Sequence, residues 1–174
     1  MRLYRYIGPS DIRAPAGAHA TGTRITVATQ LAEWIAATVR HADTEGRIVA
    51  TFVVTAEGIL LLADRASEHV QCAGGQSMRS AGEMAFAYEG DSWRAEEVSN
   101  QSTGYCPEPE SWPQVAAALD AIPLAHPGRF TMSSIFRRCF ICAQINLVKD
   151  GYFVCAVCGA DIPKRWNLDA DTAH

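Results

Sequence analysis

The stretch Thr51-Phe52-Val53-Val54-Thr55-Ala56-Glu57-Gly58-Ile59-Leu60-Leu61-Leu62-Ala63 decides the fold class. Two β-branched and aliphatic runs flank a glycine-containing triplet, the pattern of a β-hairpin. Downstream, residues 83–88, the turn Glu89-Gly90-Asp91 and residues 93–98 repeat that pattern and predict a second hairpin. Residues 67–75, between the hairpins, read as a strand running into a Gly74-Gly75 loop. Upstream, residues 3–7 and 24–27 read as short strands, with Gly8-Pro9-Ser10-Asp11 as a turn leading into a helical turn. Leu31, Trp34, Ile35, Thr38 and Val39 recur at helical spacing and predict an amphipathic helix over 29–40.

A second helix starts at Ser111, where Gln114 three residues on completes a capping box and Pro113 sits in the first turn. Its buried stripe is Trp112, Val115, Ala116, Leu119 and Ile122, and Pro123 and Pro127-Gly128 end it. Residues 130–136 read as a strand leading into a cysteine-rich segment. The predicted architecture is α+β, an antiparallel β meander with two flanking helices, followed by a small C-terminal cysteine-bearing ribbon. The expected division is a body over 1–128 and a ribbon and tail over 129–174.

Composition supports a folded chain. The 174 residues are 48% hydrophobic and 20% charged, with a formal net charge of −4 and mean hydropathy near zero, unlike a disordered polymer. The first 20 residues lack the apolar run of roughly 7–15 residues that an export signal needs, and the apolar stretch 48–56 falls well short of the ~20 residues that span a bilayer. The expected location is the cytoplasm, with no membrane contact. Net charge hides an asymmetry: residues 1–128, 129–165 and 166–174 carry −6, +4 and −2. A basic segment on an acidic body raises a nucleic-acid contact through Arg129, Arg137, Arg138, Lys164 and Arg165.

Four of the six cysteines form two Cys-x-x-Cys pairs, Cys139/Cys142 and Cys155/Cys158, separated by 12 residues. Those residues hold 145–148, the turn Lys149-Asp150-Gly151 and 152–154, so the predicted order is knuckle, hairpin, knuckle. Each knuckle aims two thiolates at one point, and together they complete a tetrahedral Cys₄ shell suited to one structural Zn²⁺. Iron fits the same S₄ geometry. A redox disulfide lacks the βαβ setting of a thioredoxin motif. Four thiolates around one Zn²⁺ carry −2, so part of the basic bias compensates the site. The segment resembles zinc ribbons of the rubredoxin-like type, with Gly159 after the second knuckle and Ala143 in place of the usual glycine after the first.

Cys72 and Cys106 read as buried apolar residues. On a strand, His69 and Cys72 point to opposite faces and make no catalytic pair. The polar run Ser99-Asn100-Gln101-Ser102-Thr103-Gly104-Tyr105-Cys106-Pro107 has two readings. It is a turn that satisfies its own backbone, or a pocket floor in which His69, Glu83, Asn100, Ser102 and Tyr105 bind a ligand.

Ala73-Gly74-Gly75, Ser80-Ala81-Gly82-Glu83 and Asn100-x-Ser102 with Tyr105 and Pro107 ahead of a helix together resemble a domain of plant IQ-motif calmodulin-binding proteins and bacterial polymorphic toxins. The resemblance implies a related fold and a shared pocket over about residues 67–112. It departs from that pattern at Glu68, where the family has a histidine, and at Thr103-Gly104, where the family has Gly-His. No basic IQ helix is present.

Three functions follow as expectations. The first is a zinc-binding protein-interaction module, of an accessory or immunity type in bacteria, whose acidic body suits a basic partner. The second is an enzyme or small-ligand binder using the 99–107 loop and Glu83, with His69 as acid or base. The third is nucleic-acid binding through the ribbon.

Overall fold

The computed structural model describes residues 2–38 and 42–168. Val39 and Arg40 of the expected helix and 169–174 of the expected tail lie outside the described residues. The chain is α+β. A five-stranded antiparallel sheet has the order β1-β3-β2-β4-β5, formed by Thr23–Ile25 (β1), Ile48–Val54 (β2), Leu60–Asp64 (β3), Ser80–Glu89 (β4) and Ser92–Val98 (β5). Both predicted hairpins are present. Strand β2 lies at the centre because it is apolar on both faces, which matches its near-continuous aliphatic sequence.

The alternation of side chains along β2 sends Ile48, Ala50, Phe52 and Val54 to one face, where they meet Leu60, Leu62, Met84 and Phe86. Two helices close that face: Ala28–Thr38 (α2, after the short α1 at Ser10–Arg13) brings Leu31 and Ile35, and a later helix brings Val115, Ala118 and Leu119. On the opposite face Val53, Ala63 and Ala81 pack with Val70, Cys72, Tyr4, Tyr6 and Tyr105. The sheet is thus covered on both sides over part of its length. Among the described residues, no helix is long and apolar enough to cross a membrane.

Several local expectations are corrected. Residues 3–7 make a single bridge, Tyr4 to Met78, instead of a strand. His69–Cys72 is a helical turn (α3), so the strand expected over 67–75 is absent. A four-residue helix is too short to show a 3.6-residue period against a background of apolar residues.

The capping box is also absent. Ser111 ends a 3-10 turn, Pro109–Ser111, in a helical conformation (φ −77°, ψ −8°), and helix Trp112–Asp120 (α4) continues from it. Its hydroxyl pairs instead with that of Ser80 at 2.9 Å, while Gln114 Oε1 accepts from Arg79 at 3.3 Å.

The strand expected over 130–136 starts later. Thr131 and Met132 bond the end of β5 through Val98 and Ser99, and Ile135–Arg138 (β6) then pairs with Ile145–Val148 (β7). The first knuckle therefore caps the β6–β7 hairpin, and 152–154 forms only the isolated bridges Tyr152 to Lys149 and Val154 to Asp161. The base of this ribbon is tied to the body. Asn100 donates to the Pro107 and Ser134 carbonyls and accepts from the Ser134 amide, and Trp166 donates to the Cys106 carbonyl.

Candidate metal centre

Both knuckles use the same local geometry. The Cys139 amide donates to Gln144 O and the Ala143 amide to Cys139 O; in the same scheme, the Cys155 amide donates to Ala160 O and the Gly159 amide to Cys155 O. Each knuckle needs a left-handed residue after its second cysteine, and Ala143 (φ 60°) and Gly159 (φ 72°) supply it. A side chain in that region costs about 1–2 kcal/mol. At Gly159 nothing lies within 4 Å of where a Cβ would stand, so the cost at Ala143 comes from its dihedral and not from crowding at this kind of turn. Ala143→Gly is therefore expected to stabilise the ribbon by about 1 kcal/mol after the entropy of the freer glycine is subtracted. Slower metal loss to a competing chelator checks it, and unchanged or faster loss contradicts it.

The two knuckles bring the sulfurs of Cys139, Cys142, Cys155 and Cys158 within 4.8 Å of one another. The Cys139–Cys158 and Cys142–Cys155 separations are 3.6 and 3.5 Å, with no disulfide formed. Bonds of about 2.3 Å from a tetrahedral Zn²⁺ set ligand sulfurs about 3.8 Å apart. The four cysteines are thus placed to hold one metal ion, with Cys139 and Cys155 buried and Cys142 and Cys158 exposed.

Electrostatics divide each close pair. Backbone amides of Cys142 and Ile141 favour the Cys139 thiolate and hold it below the usual thiol range. Backbone amides of Cys158 and Val157, with the Asn146 side chain, bring Cys155 down to about 6. At Cys142 the Gln144 amide pulls the other way, but burial and the neighbouring thiols push it up to about 12. The amides thus favour the thiolate at Cys139 and Cys155, while Cys142 and Cys158 are shifted the other way, and a bound cation would favour the thiolate at all four.

Asn146, missed in the sequence, orders this shell. It is buried, donates to Gln144 O and to the Cys155 sulfur at 3.6 Å, and accepts from the Ala156 amide. The available signal was a lone amide in the otherwise apolar strand Ile145–Val148.

The other candidate residues are not gathered in one pocket. Asn100, Ser102 and Tyr105 are buried, and their bonds hold the 99–107 loop to its surroundings. The Tyr105 hydroxyl donates to Gln76 O at 2.7 Å, and Ser102 Oγ accepts from the Tyr105 amide. A Cβ at Gly82 would run into the Ser99 carbonyl, so glycine lets this loop cross β4 closely. Glu83 is exposed in a cavity of about 350 Å³ beside Arg47 and Glu97. His69 lines a different cavity, of about 270 Å³, with Tyr6 and Glu68. Its Nε2 lies 3.0 Å from the Gly82 carbonyl, to which the Nε2–H tautomer donates, and burial lowers its pKa.

His69 and Cys72 share the turn α3, correcting the opposite-face argument, yet the Cys72 thiol faces Leu61 O. Burial pushes the Cys72 and Cys106 thiols up to about 12, as suits buried apolar residues and not nucleophiles.

Of the basic residues, Arg129, Lys164 and Arg165 are exposed and Arg138 is half-buried beside Cys142 in a surface groove. Arg137 corrects the expectation of a free cation. It is buried and donates to both oxygens of Glu108 at 2.7 and 3.0 Å, to Lys164 O and to Phe136 O. Compared with models of protein families, with curated proteins and with solved structures, the chain matches none. The likenesses to a rubredoxin-type ribbon and to the IQ-motif and toxin domain therefore stand on the quoted motifs alone.

Proposed function

We propose that Cys139, Cys142, Cys155 and Cys158 hold one structural Zn²⁺ and that the chain is a metal-stapled protein-interaction module. The carrying observation is where the four most exposed large apolar side chains lie. Phe140, Ile141, Tyr152 and Val157 are 74, 76, 74 and 68% exposed, and all belong to the ribbon, three of them inside the knuckles themselves. Large apolar groups left in water on one segment of a fold suit a surface for a partner. With all four metal positions taken by protein sulfur, the ion supports structure and leaves no open site for water or substrate. The metal then rigidifies the two knuckles and lowers the entropy lost when a partner docks on them. An acidic body suits a basic protein partner of the accessory or immunity type.

Elemental analysis of the purified chain is expected to give one zinc per chain, with cobalt replacing it to yield a tetrahedral thiolate spectrum. Iron at that position would overturn the metal assignment. Phe140→Ser with Val157→Ser is expected to keep the metal content and weaken binding to a partner identified with the wild type by tenfold or more. Equal affinity for that purified partner would sink the surface assignment.

A further inference from the structure

A cleft of about 810 Å³ opens where the N-terminal arm, β4, the start of α4 and the segment leaving the ribbon meet. It is lined by five cations, Arg2, Arg79, Arg137, Lys164 and Arg165, and two carboxylates, Glu108 and Glu110. Arg137 and Glu108 neutralise each other at 2.7 Å. Four cations thus face one carboxylate, on a chain whose formal net charge is −4. Gathering like charges from separate segments raises their mutual repulsion, which a bound anion relieves.

Two details show that these cations are positioned. The Arg2 guanidinium lies 4.3 Å over the Trp166 ring, which is itself packed edge-on against Tyr4. Arg79 Nε is buried with no hydrogen-bond partner among the described residues, and its Nη1 makes only a long bond to Gln114. A buried donor on a cation lacks compensation until an acceptor reaches it.

We infer that this cleft binds a small molecule through a diphosphate group. A lone carboxylate brings one charge and leaves most of the cationic excess unmatched. A phosphoryl group brings about −1.5 to −2 and three acceptor oxygens, and two of them match the wall. Arginine forks suit such oxygens. The cleft falls within the roughly 300–1,000 Å³ of small-molecule sites, leaving space for the rest of the ligand. It contains none of the four cysteines and none of the exposed ribbon apolar groups, so it is independent of the proposed interaction surface.

The test is calorimetric titration of the metal-loaded full chain with inorganic pyrophosphate and with ADP at physiological ionic strength. The Trp166 indole signal is followed in parallel. One saturable site is expected, weakened tenfold or more in Arg79→Met and in Lys164→Ala with Arg165→Ala, and weakened by added salt. The Lys164/Arg165 pair is exposed, so this variant remains informative if Arg79→Met fails to fold. Metal content is measured after each titration. Absence of saturable binding for both probes, or affinity unchanged in the Lys164/Arg165 variant, overturns the proposal. Single-stranded RNA displacing pyrophosphate at a footprint of several nucleotides would also overturn it and assign the cleft to nucleic acid.

Discussion

Stripping the metal with a strong chelator is expected to unfold the ribbon beyond Arg138 while the five-stranded body stays folded. The ribbon buries little apolar surface of its own. Its own cluster consists of Cys139, Cys155 and Ile162, with Val148, Phe153 and Ala160 partly covered, so two of its three buried members are cysteines of the candidate metal shell. The main core of the body has nineteen buried residues. Structural zinc contributes an apparent ~10–16 kcal/mol in small domains, far more than three half-covered aliphatic and aromatic groups supply at roughly 1.5–3 kcal/mol for each one fully buried.

The base should survive. Phe136 packs with Cys106 and Leu168, and the Arg138 amide and carbonyl are both held by the Asn167 side chain. Amide exchange before and after chelation reads the difference. The amides of Ala143, Cys155 and Gly159 should lose protection, and those of β2 and β4 should keep theirs. Unchanged protection in the knuckles, or loss of the whole chain in one transition, would contradict this division. Cys155→Ser should reproduce the chelated state, because a serine hydroxyl does not supply the thiolate that a tetrahedral sulfur shell needs.

The sheet was legible because its information is local. Strand-forming runs on either side of a Gly-containing turn specify each hairpin without reference to the rest of the chain. The four-cysteine cluster was legible for the same reason: each knuckle is four residues long, and cysteine pairs at that spacing have few other uses. What could not be read was which partner each polar side chain finds. Ser111 and Gln114 carry the composition of a capping box, but their partners, Ser80 and Arg79, come from a strand more than thirty residues away. In the 99–107 loop, Asn100 takes the backbone of Pro107 and Ser134, so the self-satisfied turn and the pocket floor have identical sequences and differ only in tertiary contacts. The helical turn at His69–Cys72 lacked the length to show its period.

The basic segment shows the same limit. Its charge excess was legible, but Arg137 turns inward to Glu108, 29 residues away, and Lys164 and Arg165 turn to a cleft shared with the N-terminus. The ribbon's charge is thus organised around the body as well as around its four thiolates.

Arg137→Met is expected to destabilise the protein by about 3–5 kcal/mol. The side chains of Arg137 and Glu108 are 5 and 12% exposed, so deleting the guanidinium leaves a carboxylate largely out of water with its neutralising partner gone. The Lys164 carbonyl also loses two donors and the Phe136 carbonyl one, which adds to the loss. Arg137→Lys should recover little. A single ammonium cannot span both Glu108 oxygens and Lys164 O in the plane that the guanidinium fork uses.

Glu108→Leu combined with Arg137→Met removes both charges, so the double variant should be more stable than Arg137→Met alone. It should stay below the wild type because the Lys164 and Phe136 carbonyls lose the Arg137 donors. Denaturant unfolding of the two single variants and the double closes the cycle, and a coupling of at least about 1.5 kcal/mol is expected from a desolvated pair of this kind. A loss below about 1 kcal/mol in Arg137→Met would place the pair in the class of solvent-screened surface bridges. It would remove the argument that Glu108 and Arg137 lock the ribbon base onto the start of α4.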